Sequence, residues 1–194
     1  MARIGIFGGS FNPVHVGHVA LAGRLLQLAR LDEVRFVVSP LNPFKQQASD
    51  LMPDNLRLEM VRRALAGMHG LQASDVEFRL PRPSYMWRTL RYLSARHPDD
   101  RLVLIIGADN WLAFDRWAHS EEILSHYEIA VYPRPGYAVD ASSLPPSVHL
   151  YNVPLYNVSS TDIRRRLHAG ESVDGLLPPG VEELLRGWME KKSL

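Results

Sequence analysis

The sequence predicts an α/β fold, a doubly wound and mostly parallel sheet in a single domain spanning residues 1–194. Three observations lead there. Short apolar runs rich in Val and Ile alternate with longer segments of helical spacing, the pattern of βαβ units. The length suits one domain with a real core and is short for two. No internal repeat or low-complexity linker divides the chain.

The elements follow in order. Residues 3–7 form a short apolar run that reads as a buried strand. Residues 17–31 carry Val19, Leu21, Leu25, Leu26 and Leu28 at helical spacing. Residues 34–38 read as the second strand. Residues 54–66 begin at the helix-start signal Pro53-Asp54 and hold Leu58, Met60, Val61 and Leu65. A third strand is expected at 76–78 and a helix at 85–96. A strand at 102–106, a helix at 120–125 and strands at 129–132 and 148–151 come next. Helices at 161–168 and 181–191 complete the set. Two long irregular stretches remain, 39–53 and 133–146, and loops of that length are uncommon unless functional or mobile. The arrangement is Rossmann-like. Such sheets bind ligands outside the carboxyl ends of their strands, so the chemistry is expected in the loops that follow them.

Composition narrows the function. The formal charge is +1, which gives no push toward duplex nucleic acid, though a few cations suffice for small anionic ligands. There is no cysteine, so disulfides, thiolate metal sites and a cysteine nucleophile are excluded. The opening apolar run Ile4-Gly5-Ile6-Phe7 is too short for a signal-peptide core. No stretch approaches the ~20 apolar residues of a membrane helix. A soluble cytoplasmic protein is expected, with neither nucleic acid nor membrane as a partner.

The first strand runs into Gly8-Gly9-Ser10-Phe11-Asn12-Pro13-Val14-His15-Val16-Gly17-His18. Glycines between a strand and a helix let backbone amides approach a phosphate, and the helix N-terminus adds a field that favours anions. This is not the dinucleotide fingerprint, since Phe7 stands where a Gly is needed, and no Walker-type P-loop occurs. His15 and His18 lie three apart at the helix start and can face one side. There they could hold phosphate oxygens, or simply form a capped helix end or a surface pair. For a metal site, no cysteine or nearby carboxylate completes the ligand set.

The string Gly8-Gly9-Ser10-Phe11-Asn12-Pro13-x-His15-x-Gly17-His18 resembles the signature of the nucleotidyltransferases with a His-x-Gly-His motif. Within them, the chain is similar from end to end to the bacterial nicotinate mononucleotide adenylyltransferases. It departs from the family at Asn12, more often Asp, and at Val14, frequently Pro. Neither change touches the glycines or histidines.

The resemblance implies a set of roles. Gly8, Gly9, Ser10 and Phe11 would line the ATP site with His15 and His18. Lys45, in the loop after the second strand, would reach the phosphates and could close over them. Gly107 and Asp109 follow the fourth strand and would contact ribose and nucleotide, although Asp109 could serve as an ordinary helix cap. Trp117 would stack on the pyridine ring, which suits a flat heterocycle. Pro83-Ser84-Tyr85 with Thr89-Leu90 matches the segment that wraps the nicotinate. Met86 stands there where Thr is expected, and Trp87-Arg88 where an apolar–acidic pair is common. Tyr85 and Met86 would then belong to the acceptor site, unless Tyr85 only packs. Arg134 could hold the mononucleotide phosphate bidentately. Ser159, Ser160, Thr161 and Arg164 match the family's helix start that holds the ATP β- and γ-phosphates. Read locally, Ser159 and Asp162 also make a capping-box-like start, and a capped helix start can itself be an anion site.

The reaction implied is adenylyl transfer from ATP to nicotinate mononucleotide, giving nicotinate adenine dinucleotide and pyrophosphate. His15, His18, Lys45 and Arg164 are the expected catalytic residues. Mg²⁺ would arrive with ATP, and no dedicated protein metal site is expected. Rival readings are a sister transferase acting on phosphopantetheine or a cytidylyl acceptor, a nucleotide-binding regulator without turnover, and an NAD-dependent oxidoreductase. The last lacks its glycine fingerprint.

Overall fold

The computed structural model describes residues 1–41 and 50–192. Six strands form one sheet: β1 (Arg3–Gly9), β2 (Glu33–Val38), β3 (Leu71–Ser74), β4 (Arg101–Gly107), β5 (Glu128–Tyr132) and β6 (Val148–Leu150). Their order is β3-β2-β1-β4-β5-β6, and every neighbouring pair is parallel. The helices are α1 (Val16–Leu28), α2 (Asp54–Ala64), α3 (Met86–Arg96), the single turn α4 (Ala108–Trp111), α5 (Ser120–His126), α6 (Ser160–His168) and α7 (Val181–Lys192).

Both faces of the sheet are buried, so its strands read as nearly continuous apolar runs. The two-residue period still sorts them. Phe7, Val34, Phe36, Val38, Val103, Ile105, Ala130 and Tyr132 pack on the face covered by α1, α2 and α7. Ile4, Ile6, Val37, Leu102, Leu104, Ile106, Ile129 and Val131 pack on the other, against Leu90 and Leu93 of α3 and Ile123 of α5.

The expected third strand at 76–78 is a correction. The strand is Leu71–Ser74, and Val76–Arg79 forms a 3₁₀ turn. β3 lies at the sheet edge and fully buries only Leu71, so its apolar signal is weak. The turn buries Val76 on one side of the sheet and packs Phe78 on the other, which mimics a strand in the sequence. The expected helix ends agree or move by at most three residues. The short α4 was not foreseen, four residues being too few to show a period.

The chain winds outward from β1 to β2 and β3, then returns to place β4 on the opposite side of β1. The strand order therefore reverses between β1 and β4. The crevice of a doubly wound sheet opens at that point, beyond the strands' carboxyl ends. Gly8 and Gly9 end β1 there, and Gly107 ends β4.

Candidate active site

After Gly9 the backbone turns sharply. Phe11 adopts a left-handed conformation (φ 45°) and buries its ring against Phe7, Phe36 and His18. With its ring in the core, Phe11 can meet a ligand only through its backbone. The turn delivers His15 to the N-cap of α1 and His18 to its first turn. Their rings stack, with centroids 3.6 Å apart. Gly17 is required between them. A Cβ there would come within 2.7 Å of Val158 Cγ1 and 3.1 Å of Tyr156 Cβ, in the segment leading to α6.

The two histidines differ electrically. The His15 backbone N–H donates to His18 Nδ1 at 3.2 Å, so a neutral His18 carries its proton on Nε2. His15 is buried, and its Nδ1 has no hydrogen-bond partner among the described residues. Burial, followed by the nearby Arg134 charge, lowers the His15 pKa to about 4. His15 is therefore neutral at pH 7, which also spares the stacked pair a cation–cation contact. An incoming phosphate would oppose both causes.

The low pKa has a stability consequence. Below pH 6.5 the unfolded chain protonates His15, while the folded protein resists until about pH 4. Stability is thus lost as pH falls through that window, by up to ~3 kcal/mol for this one residue. Urea unfolding at pH 7 and pH 4 should show a smaller acid loss in His15→Asn than in the unmodified protein. Equal losses would mean that His15 is not held neutral.

Several expected residues converge on this pair. One cleft is lined by His15, His18, Tyr132, Arg134 and the 154–156 stretch. Arg134 Nη2 donates to the Tyr132 hydroxyl at 3.3 Å, and Arg134 Nε lies 3.6 Å from Asp109 Oδ1. That oxygen is buried and makes no hydrogen bond among the described residues. Asp109 sits in the first turn of α4, directly after Gly107, where a Cβ would run into Asp109 and Arg134. Across the crevice Met86 opens α3, and its Cε fills the space a Gly8 side chain would need. Tyr85 is the N-cap of α3, under the Arg88 guanidinium. Trp117 follows the 3₁₀ turn Phe114–Arg116, half-buried, with its ring 5.3 Å from Phe114.

The start of α6 closes the other side. The Ser159 hydroxyl caps the helix by accepting from the Asp162 N–H at 3.1 Å, as the local sequence indicates. Ser160 Oγ donates to the Pro13 carbonyl at 2.8 Å. Thr161 is exposed. Arg164 donates from Nη1 to the Asn12 carbonyl at 2.7 Å and from Nε to Asp50 Oδ2 at 2.7 Å. Lys45, expected to reach the phosphates, lies outside the described residues.

Sequence reasoning missed Arg57. It is fully buried and donates to the carbonyls of Ser10, Ser39, Met52 and Pro40 and to the Asp54 carboxylate. It thereby fixes the histidine loop, the end of β2 and the start of α2 together. A signal was present: Arg57 shares the stripe of Met60, Val61 and Ala64, at i, i+3, i+4 and i+7. Asn12 was read only as a departure from Asp. Its amide accepts from the Met52 N–H at 2.9 Å and donates to the Asp50 carbonyl at 3.0 Å. A carboxylate could not make the second bond.

A switch-point crevice floored by glycines, with paired imidazoles at one helix start and serines and an arginine at another, defines a nucleotidyltransferase of the His-x-Gly-His class. Residues 6–166 match the family described as cytidylyltransferase-like. A "Probable nicotinate-nucleotide adenylyltransferase" of Bacteroides fragilis is 52% identical over 92% of this chain and 89% of its own length. One of the same description from Bacteroides thetaiotaomicron is 46% identical over 97% and 93%. The chain belongs to the cytidylyltransferase-like family, among the nicotinate-nucleotide adenylyltransferases. Solved structures agree in fold. The nicotinic acid mononucleotide adenylyltransferase of Plasmodium falciparum complexed with NaAD superposes with a TM-score of 0.81 at 18% identity, over 97% of this chain and 96% of that one.

Proposed function

We infer that this site transfers the adenylyl group of ATP to nicotinate mononucleotide, forming nicotinate adenine dinucleotide in NAD biosynthesis. The observation that carries this reading is the joining of a His-x-Gly-His loop and a serine–arginine helix start over one crevice, in a chain this similar to adenylyltransferases.

An oxygen of the mononucleotide phosphate attacks the α-phosphorus of ATP. The new P–O bond forms as the bond from the α-phosphorus to the oxygen bridging to the β-phosphate breaks, and pyrophosphate leaves with that electron pair. The nucleophile is already anionic, so no covalent enzyme intermediate is needed. Catalysis is then positioning and charge stabilisation. His15 and His18 hold the phosphates at the reacting centre, with Gly8, Gly9, Ser10 and the Phe11 backbone beneath the nucleotide. Ser159, Ser160, Thr161 and Arg164 hold the β- and γ-phosphates, and the triphosphate replaces Asp50 as the partner of Arg164. Lys45 adds positive charge to the triphosphate. Gly107 and Asp109 meet ribose, Arg134 meets the mononucleotide phosphate, and Tyr85, Met86 and Trp117 enclose the pyridine ring.

Mg²⁺ bound to the triphosphate supplies charge neutralisation on the departing pyrophosphate. Among the described residues no group of three or more His, Asp or Glu could hold such an ion. Phosphate oxygens and water would therefore supply most of its ligands, which fits an ion carried in by the nucleotide. No described helix is long and apolar enough to cross a membrane, and a cytoplasmic site of action fits the reaction.

The test is pyrophosphate release with ATP and Mg²⁺, with nicotinate and nicotinamide mononucleotides compared side by side. Strong preference for the acid is expected. Equal use would keep the reaction but make the enzyme dual-specific, and no release with either would send the reading to another acceptor. Trp117→Ala should raise KM for the mononucleotide about tenfold, the cost of losing a stacking surface, and that for ATP far less. Equal losses for both substrates would make Trp117 a structural residue.

A further inference from the structure

Glu77 has no part in the mechanism above, yet its carboxyl is buried. It lies in the 3₁₀ turn Val76–Arg79 and is 3% exposed. Thr89 Oγ1, in the first turn of α3 and 1% exposed, donates to Glu77 Oε1 at 2.7 Å. The second carboxyl oxygen and the Ser84 hydroxyl are both shut off from water, and neither has a hydrogen-bond partner among the described residues. Burial raises the Glu77 pKa, and the hydroxyls of Thr89, Ser39 and Ser84 counter that rise. One carboxyl is thus surrounded by hydroxyls from three places: the end of β2, the loop after the 3₁₀ turn, and the start of α3.

Among the described residues no cation pairs with this carboxyl; burying it so is costly, and an apolar residue would fill the space more cheaply. What the carboxyl supplies is geometry. Residues 80–85 leave the 3₁₀ turn and re-enter at α3, with Glu77 at the base of the loop. Thr89 engages it on the helix side, and the Ser84 hydroxyl lies on the loop side. The Ser84 N–H is also held, donating to the Leu41 carbonyl at 2.8 Å. Tyr85 and Met86 lie between these anchors. The Ser39 N–H donates to the Gly9 carbonyl at 2.9 Å, so the same cluster reaches the floor of the nucleotide crevice.

We propose that Glu77 is a positioning residue for the acceptor nucleotide, clasping residues 80–85 at their base through its bond from Thr89 and so setting where Tyr85 and Met86 meet the pyridine ring. This rests on the reading that nicotinate mononucleotide is the acceptor. The clasp works by hydrogen bonding rather than by charge. Glutamine keeps the shape, accepts from Thr89 and can donate to the Ser84 hydroxyl.

Steady-state kinetics of the full-length enzyme test the proposal, with each substrate varied in turn. Glu77→Ala should raise KM for nicotinate mononucleotide about tenfold, as for loss of a buried hydrogen-bonded anchor, and leave that for ATP within about twofold. Glu77→Gln should restore the acceptor KM to within about threefold of the unmodified enzyme. Equal rises in both KM values, an unchanged acceptor KM, or a Gln variant as impaired as Ala would overturn it. Should Glu77→Ala not fold, Thr89→Val decides, since it removes the donated hydroxyl and keeps the shape. An acceptor-only rise of about threefold supports the clasp, and no rise overturns it. If the unmodified enzyme adenylylates only some other acceptor, the functional reading fails first and takes this role with it.

Discussion

His18→Ala is expected to lower kcat by about 10²–10³-fold, the usual cost of removing one preorganised donor from a charged transition state. His18 stacks on His15 and accepts the N–H that opens α1, so alanine also removes a helix-start bond worth ~1 kcal/mol. His18→Asn separates the two effects. Its amide oxygen can take the His15 N–H, but it cannot place an imidazole Nε2–H against phosphate. Pyrophosphate release should stay low in both variants, while thermal unfolding recovers in Asn. A near-normal rate in either variant would remove His18 from the chemistry.

Arg57→Met should destabilise the protein by about 3–5 kcal/mol, the range for breaking a buried, fully bonded charge. Methionine fills much of the volume, so the loss reports the polar contacts. The carbonyls of Ser39 and Met52 would lose their donor in a site closed to water, and that of Ser10 in a partly buried one. Urea unfolding measures the change. A loss below about 1 kcal/mol would show that water replaces the guanidinium, as at exposed ion pairs. Arg57 also holds the Ser10 carbonyl, in the chain reversal that leads from β1 to His15. The folded fraction of this variant should therefore bind ATP more weakly as well.

What could be read from the sequence was whatever short-range physics controls. The alternation of strands and helices, the glycines that close β1, the two histidines on one helix start and the Ser159 cap all depend on residues within a few positions of each other. Periodicity and capping act over that range, so they survive without knowledge of the fold. β3 failed the same test because an edge strand with one buried side chain has no period to display.

Everything that joins distant segments was decided by the tertiary structure. Arg164 reaches Asn12 across 152 positions, and Ser160 reaches Pro13 across 147. The low pKa of His15 arises from its burial and from Arg134, which β5 brings to the cleft. Arg57 and Glu77 look like surface charges in the sequence and become buried anchors only when the ends of β1, β2 and α3 meet around them. Desolvation depends on what the rest of the chain places around a group, and no local pattern encodes it.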